Sequence, residues 1–439
     1  MMRRAALFLA VPVLALAVAG CDSVLDVEPP SQLTSTIAIE DANGARNALR
    51  GAYSALQSGS YYGGDLVFFG DLLADNTTHT GTFTSFAEAD ANTLLATNGS
   101  VEGLYESLYF GIGITNQILQ RVPALDDLGE TEKNEILGEA HFLRALHYHN
   151  LVKLWGPVPI VTTTLSSVEE ASQVTRSPVD AVYAQVLSDL QEAERLITDA
   201  DQTKQASLGA VKALLARVHL YRGEWTLAEQ QADEVIAMGY RLADAYGDLF
   251  TPDAETPEAI FSLDFNTQDF NNFGYYFEVR REVRPTPDLY DAYENEDARR
   301  AWSIEQSSTG RLTGTKYPTT TGEEDLHVLR LGEVLLIRAE ALARQGRLAD
   351  AVDAYNALRV RAGLAPHVLG VDVSTPQDVL AAIWHERRLE LAFEGDRWPD
   401  LVRTGRATDV LGIRECQVPF PIPQRELNVA PNLEQNPSC

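Results

Sequence analysis

Apolar residues recur at helical spacing along most of this chain, most regularly between Val328 and Arg361. There Leu331, Leu335, Ala339 and Leu342 share one helix face. Gly346 interrupts the pattern, and a second helix follows with Ala351, Tyr355 and Leu358 facing inward. A glycine suits the tight turn between two antiparallel helices that approach closely. Helix, turn, helix is the unit of a tetratricopeptide repeat, whose period is about 34 residues. A second copy lies upstream around Gly223. Ala216 precedes that glycine by seven residues, as Ala339 precedes Gly346. Ala228 follows it by five, as Ala351 does, and Ala232 and Val235 take the places of Tyr355 and Leu358. Trp225 and Leu348 each stand two residues past their glycine. Small residues at fixed offsets from a turn are what close helix packing requires.

The same spacing predicts further helices. Ile39 to Leu56 presents Ala45, Leu49, Ala52 and Leu56 on one face, and Val101 to Val122 presents Leu104, Leu108, Ile112, Thr115 and Leu119. Thr131 to Trp155 is long and rich in Leu and aromatics, and Pro157 and Pro159 stop it. Ser177 and Pro178 open a helix through Leu196, as N-cap and first helical residue. Val379 to Glu394 is the last. Two stretches break the pattern. Asp65 to Ser100 is rich in Thr, Asn, Asp and Gly, with Phe83 and Phe86 embedded, and reads as a long loop between two helices; the competing reading is a disordered loop. Ala259 to Phe265 alternates like a strand. Beyond it Tyr275, Tyr276 and Phe277 cluster among Asn and Gly, and Trp302 follows Arg299 and Arg300. Long insertions in a compact body are usually functional. Val418 to Pro437 is proline-rich and irregular. The expected class is mostly α: a tetratricopeptide-like scaffold of helical hairpins with long loop insertions and a little β.

The N-terminus changes the picture. Arg3 and Arg4 precede the apolar run Ala5 to Ala19, and Val18-Ala19-Gly20 precedes Cys21. This is a secretory signal, with an apolar run too short to span a bilayer. A cysteine directly after small residues resembles a bacterial lipoprotein box. Residues 1–20 are therefore expected to be removed and Cys21 lipidated; the alternative is a plain secretory signal with an incidental cysteine. Residues 21–35, with Glu28-Pro29-Pro30, read as a tether to the bilayer. Loss of Arg3 and Arg4 takes the net charge from −28 to −30. So acidic a surface argues against nucleic acid and is best tolerated where salt screens it. A hydrophobic content of 45% is enough for a large core.

His141, His147 and His149 do not form a metal site on their helix. Positions 147 and 149 point to nearly opposite faces, and 141 aligns with neither. No metal and no cofactor are expected. Glu386, Arg387, Arg388 and Glu390 form a charged cluster. It reads as a structural ion-pair network more readily than as an anion site, with Arg387 and Glu390 spaced to pair along the helix.

Five stretches resemble the SusD/RagB family of outer-membrane nutrient-binding lipoproteins, and together they cover nearly the whole chain. They are Cys21-Asp22 with Leu25 to Pro29; Glu139 to Ala145 running on to Leu154-Trp155-Gly156-Pro157-Val158-Pro159; Arg330 to Ala343; Ile383 to Arg397; and Pro421 to Glu426 with Asn432 to Pro437. The resemblance implies four repeat hairpins with inserted loops shaping a ligand face. It implies an oligosaccharide ligand, sometimes a peptide, and a SusC-like TonB-dependent outer-membrane transporter on which the lipoprotein sits as a lid. The implied place is the cell outer membrane, lipid-anchored and facing the exterior. The expected organisation is residues 36–240 as an N-terminal half with insertion 59–100, and 241–439 as a C-terminal half with insertion 260–325 and repeat hairpin 328–361.

Sugar recognition needs flat aromatic faces and a few polar groups for hydroxyls. The first insertion offers Asp75, Asn76, His79, Phe83 and Phe86, and the second offers Tyr275, Tyr276, Phe277 and Trp302. Core packing competes for each aromatic, most strongly for Trp302. Tyr275 and Tyr276, flanked by Asn and Gly, are expected to be exposed. No GxSxG, HExxH or phosphate-loop motif is present, and no segment marks a carboxylate pair, so no enzymatic activity is expected. A glycoside hydrolase and a repeat scaffold binding a protein or peptide are the alternatives. Cys416 and Cys439 lie 23 positions apart. On the oxidising exported side they are expected to bridge and pin the C-terminus, the alternative being two separate thiols. Cys439 departs from the family's usual ending, so the resemblance does not support the bridge.

Overall fold

The computed structural model describes residues 39–164, 167–198, 203–251, 256–437 and 439. The expected signal peptide, Cys21 and the tether to residue 35 lie outside the described residues. Helix α1 (Ala42–Leu56) starts at Asp41, whose carboxylate accepts the Gly44 N–H at 2.7 Å, and it buries Ala45, Leu49, Ala52 and Leu56. Asp65–Ser100 is ordered rather than a loop. It holds α2 (Asp65–Leu72), strand β1 (Thr77–His79) and α3 (Thr84–Asp90). Its polar composition hides an apolar anchor, for Leu66, Val67, Phe68, Phe69 and Leu72 of α2 are all buried. The Asn98 side chain caps α4 (Gly99–Arg121) by accepting the N–H groups of Ser100 and Val101. Next come α5 (Glu130–Trp155), the short α6 (Val168–Ser172) and α7 (Val179–Leu196), whose cap is Pro178 rather than Ser177. Helices α8 (Leu208–Arg222) and α9 (Trp225–Ala237) form the upstream repeat.

The second insertion carries β2 (Ala259–Leu263), β3 (Val283–Pro285), α10 (Pro287–Ala292), α11 (Ala298–Ser303), β4 (Ile304–Gln306), β5 (Leu312–Gly314) and β6 (Leu326–Arg330). Its strands make short antiparallel ladders, β2 with β6 and β4 with β5, while β3 pairs with β1 of the first insertion. The chain returns to helices with α12 (Leu331–Arg344), α13 (Leu348–Arg361), α14 (Pro376–Glu390) and α15 (Arg397–Arg403). The hairpins are α1 with α4, α5 with α7, α8 with α9, and α12 with α13, each packed on the next. This is a tetratricopeptide-like scaffold of four discontinuous repeats. Gly223 and Gly346 turn their hairpins at φ +71° and +79°, which a Cβ would strain. Ala216, Ala228, Ala232, Ala339 and Ala351 are fully buried where paired helices approach. Residues 39–439 form one compact unit.

The charged cluster on α14 lies inside the protein. Arg330 donates to Glu258 at 2.9 Å, Glu390 at 2.7 Å and Glu394 at 2.8 Å. Arg299 pairs with Asp297 at 2.7 Å and with Glu386 at 2.8 Å, and Arg359 reaches Glu386 at 2.7 Å. Arg387 does not pair with Glu390. It turns to Asp400 of α15 at 2.8 Å, because Glu390 is taken by Arg299, Arg330 and Arg361. Breaking a buried ion pair leaves an uncompensated charge, so this network fixes α14 against the repeats and the second insertion.

The C-terminal segment is also tied down. Cys416 and Cys439 are bonded, their Cα atoms 5.5 Å apart. Asn436 donates to the carbonyls of Trp155 at 2.9 Å and Phe420 at 2.8 Å, and the Trp155 indole donates to Pro421 at 2.9 Å. The segment read as irregular contains one short helix, Gln424–Val429.

Candidate functional site: an aromatic row where the two insertions meet

The β1–β3 ladder joins segments some two hundred residues apart in sequence. Thr77 pairs with Pro285, Thr78 with Arg284 and His79 with Val283. Beyond it the Thr80 N–H donates to the Glu282 carbonyl at 2.7 Å. Before it Thr286 bonds the backbone of Asp75 and Asn76 at 2.7 and 2.9 Å. The turn Tyr275–Val279 is one wide helical turn packed against β3 and β5.

Four rings then follow one another across the junction. Phe83 meets Phe86 at 4.9 Å between centroids, Phe86 meets Tyr276 at 5.1 Å, and Tyr276 meets Tyr275 at 5.4 Å. The two ends of the row, Phe83 and Tyr275, are each 40% exposed, whereas Phe86 is fully buried. Phe86 is thus the anchor of the row, held edge-on by Phe69 and His79 and tilted against Phe68. Tyr276, half-buried, forms the middle of the surface. An exposed ring set on a buried one is rigid and pre-organised, which suits stacking on a flat apolar face.

The groups around the row are polar. Burial pushes the Asp65 carboxyl, at the start of α2, up to about 6 against a hydrogen bond from Ser100. Burial also raises the Tyr276 phenol, and the charge of Asp65 adds to this. Burial lowers the His79 imidazole below its usual value, against the nearby charges of Glu282 and Asp90. Arg280 pairs with Glu282 at 2.5 Å.

The structure separates the expected residues. Phe83, Tyr275 and Tyr276 share the exposed row, with His79 at its edge. Phe86 and Phe277 are core, the latter packed on Phe393 and covering Gly314 so closely that a Cβ there would lie 2.6 Å from its ring. Asn76 is fully buried; it donates to Asp71 at 2.6 Å and accepts from Arg388 at 2.9 Å. Asp75 is clamped by Arg397 at 2.6 Å and Arg388 at 3.2 Å. Burial raises its carboxyl, but these cations outweigh burial and hold it below the usual range. Asp75 and Asn76 therefore secure the first insertion to α14 and α15 instead of facing a ligand. Trp302 lies apart, its ring laid over Gly247, where a Cβ would come within 2.5 Å of it. Sequence reading missed Asp65, whose charge acts on Tyr276, and Arg281 and Arg284 on the segment that follows the turn. The run of arginines after Tyr275 was the available signal.

Fold and site together define a helical-repeat protein whose two insertions carry an exposed aromatic surface. Residues 24–220 match a family profile described as starch-binding and associating with the outer membrane. Residues 300–415 match the profile of the SusD family. The chain belongs to the SusD/RagB family. It is similar to SusD-like protein P2 of Formosa agariphila, with 28% identity across 96% of this chain and 97% of the relative. It is similar to the starch-binding protein SusD of Bacteroides thetaiotaomicron, at 24% identity across 76% and 78% of the two chains. Among solved structures, a laminarin-binding SusD-like protein superposes with a TM-score of 0.81 at 25% identity, covering 91% of this chain and all of the other. A SusD superfamily protein of Bacteroides vulgatus gives 0.81 at 21% identity, over 90% and 99%. No described helix is long and apolar enough to cross a membrane.

Proposed function

We propose that this protein is a lipid-anchored, exterior-facing outer-membrane lipoprotein that binds oligosaccharide and passes it to a SusC-like TonB-dependent transporter, without turning it over. The observation that carries the reading is the row Phe83–Tyr276–Tyr275, set on buried Phe86 where two distant insertions pair. Relatives named for starch and laminarin binding support a glycan as the ligand class. The lipid anchor rests on Cys21 following Val18-Ala19-Gly20. The transporter rests on the family resemblance. A glycan panel with product analysis tests binding against hydrolysis: saturable binding without released sugars supports the reading, and released sugars would establish an enzyme instead. Cell fractionation of a Cys21→Ser variant tests the anchor. Unchanged membrane retention would exclude it. Co-purification with a neighbouring outer-membrane barrel tests delivery, and a protein that never co-purifies with one is not a lid.

A further inference from the structure

On a chain with 63 acidic and 35 basic side chains, the segment that follows the tyrosine turn is locally rich in arginine. Arg280, Arg281 and Arg284 follow directly on the turn that presents Tyr275 and Tyr276. Arg280 is exposed and matched by Glu282. The other two are held only through Nε, and only by backbone: Arg281 donates to the Glu278 carbonyl at 2.8 Å, and Arg284 to the Arg281 carbonyl at 2.9 Å. Among the described residues, no carboxylate lies within ion-pair distance of either guanidinium. The acids nearby are otherwise placed. Glu282 serves Arg280 and folds over Gly81, and Asp90 accepts from Thr78, the ladder partner of Arg284, at 3.0 Å. Glu278 is half-buried, and burial with the charges of Glu305 and Glu324 raises its carboxyl against the opposing charge of Arg281. Arg281 also holds φ +55°, a conformation that side-chain-bearing residues keep mainly where the surroundings impose it.

A guanidinium anchored at Nε still offers its two Nη groups as a planar fork, the geometry that grips carboxylate or sulfate oxygens in pairs. Two such forks on the segment that leads from the turn bearing Tyr275 and Tyr276 into β3 suit a ring that carries an anion. A neutral glucan would leave both unmatched. Resting on the glycan-binding reading above, we propose that the site takes an acidic oligosaccharide, its pyranose rings on Phe83, Tyr276 and Tyr275 and its carboxylate or sulfate groups on Arg281 and Arg284.

Three probes test this on the full chain: laminarin as neutral glucan, polygalacturonate as polycarboxylate and carrageenan as sulfate ester, each titrated from about 0.05 to about 0.5 M salt. One acidic probe is expected to bind at least tenfold tighter than laminarin at low salt, and the tighter of the two identifies the oxyanion. Its affinity should fall with salt. The pair R281Q/R284Q should cost at least tenfold for that probe, and R281K/R284K should restore part of the loss. Should the glutamine pair fail to fold, the lysine pair and the salt series decide. Laminarin bound as tightly as the tighter of the two acids, or acidic binding that ignores both salt and these arginines, overturns the proposal and leaves glycan binding standing. Failure of all three probes with an intact thermal midpoint counts against glycan binding itself, and against the proposal with it.

Discussion

Phe83 and Phe86 lie three positions apart, yet one is 40% exposed and the other fully buried. Helix α3 begins between them, so Phe83 leaves its ring at the helix entrance while Phe86 turns inward. Sequence placed both in a polar stretch and could not see that start. Tyr275 was legible, because Asn and Gly neighbours offer no core to bury a ring against. Asp75 and Asn76 were not, because their partners Arg388 and Arg397 come from more than three hundred residues away. These assignments predict opposite outcomes for similar substitutions. Tyr275→Ala with Tyr276→Ala should weaken glycan binding about tenfold or more, since each ring contributes on the order of 1 kcal/mol to stacking beyond its area. The thermal midpoint should move little for Tyr275, the more exposed of the two. Phe86→Ala should cost about 3–5 kcal/mol of stability by leaving a cavity under the row. Titration calorimetry beside denaturant unfolding separates the cases. A Phe86→Ala protein with native stability, or a tyrosine pair with native affinity, would mean that core and surface are exchanged.

At the level of elements, repeats were legible and insertions were not. The helical period and the alanines around Gly223 and Gly346 report local packing, which sequence spacing encodes directly. The β1–β3 pairing and the burial of α2 depend on contacts distant in sequence, which periodicity cannot carry. Helix α2 makes one especially close approach: a Cβ on Gly70 would overlap the backbone of Gly395, itself at φ +85°. Gly70→Ala should therefore destabilise the protein by about 1–3 kcal/mol, by pushing α2 and the first insertion off the 391–396 turn. Chemical denaturation measures it, and a neutral result would show that the turn yields freely. The C-terminal element yields a second expectation. Replacing Cys416 and Cys439 together with alanine opens a loop of 23 positions, worth about 3 kcal/mol in the chain-entropy picture. Non-reducing peptide mapping should first recover the bridged peptide; free, alkylated thiols there would remove the basis for this loss.

Across the whole molecule, acid stability follows from the buried charges, and the signs differ by group. Burial raises the Asp400 carboxyl, but Arg387 and Arg403 outweigh it and hold it at about 2; Glu390, Glu394 and Glu340 are likewise held low by their arginines, with Lys316 aiding at Glu394. A carboxylate depressed in the folded state stabilises it above the unfolded pKa near 4 and loses that contribution as pH falls through the folded value. The His147 imidazole is lowered by burial to about 3, so the unfolded chain gains its proton first and stability falls from pH 6.5 downward. Asp71 runs the other way: burial raises it to about 7, so protonation favours the fold as pH drops from 7 toward 4. Asp65, raised to about 6, adds to this. Between pH 7 and 4 the buried histidine and these two buried aspartates act in opposite directions, and the thermal midpoint should change little. Below pH 4 the arginine-held carboxylates dominate, and the midpoint should fall steeply. Asp400→Asn isolates one of them. It strips buried Arg387 and Arg403 of a shared partner, so it should cost about 3–5 kcal/mol at pH 7. That deficit should shrink as pH falls from 4 toward 2, because the native carboxylate is then neutralised as well. Guanidinium unfolding of both proteins across this range checks the sign. A deficit that stays constant down to pH 2 would mean that Asp400 acts through shape and hydrogen bonding rather than through its charge.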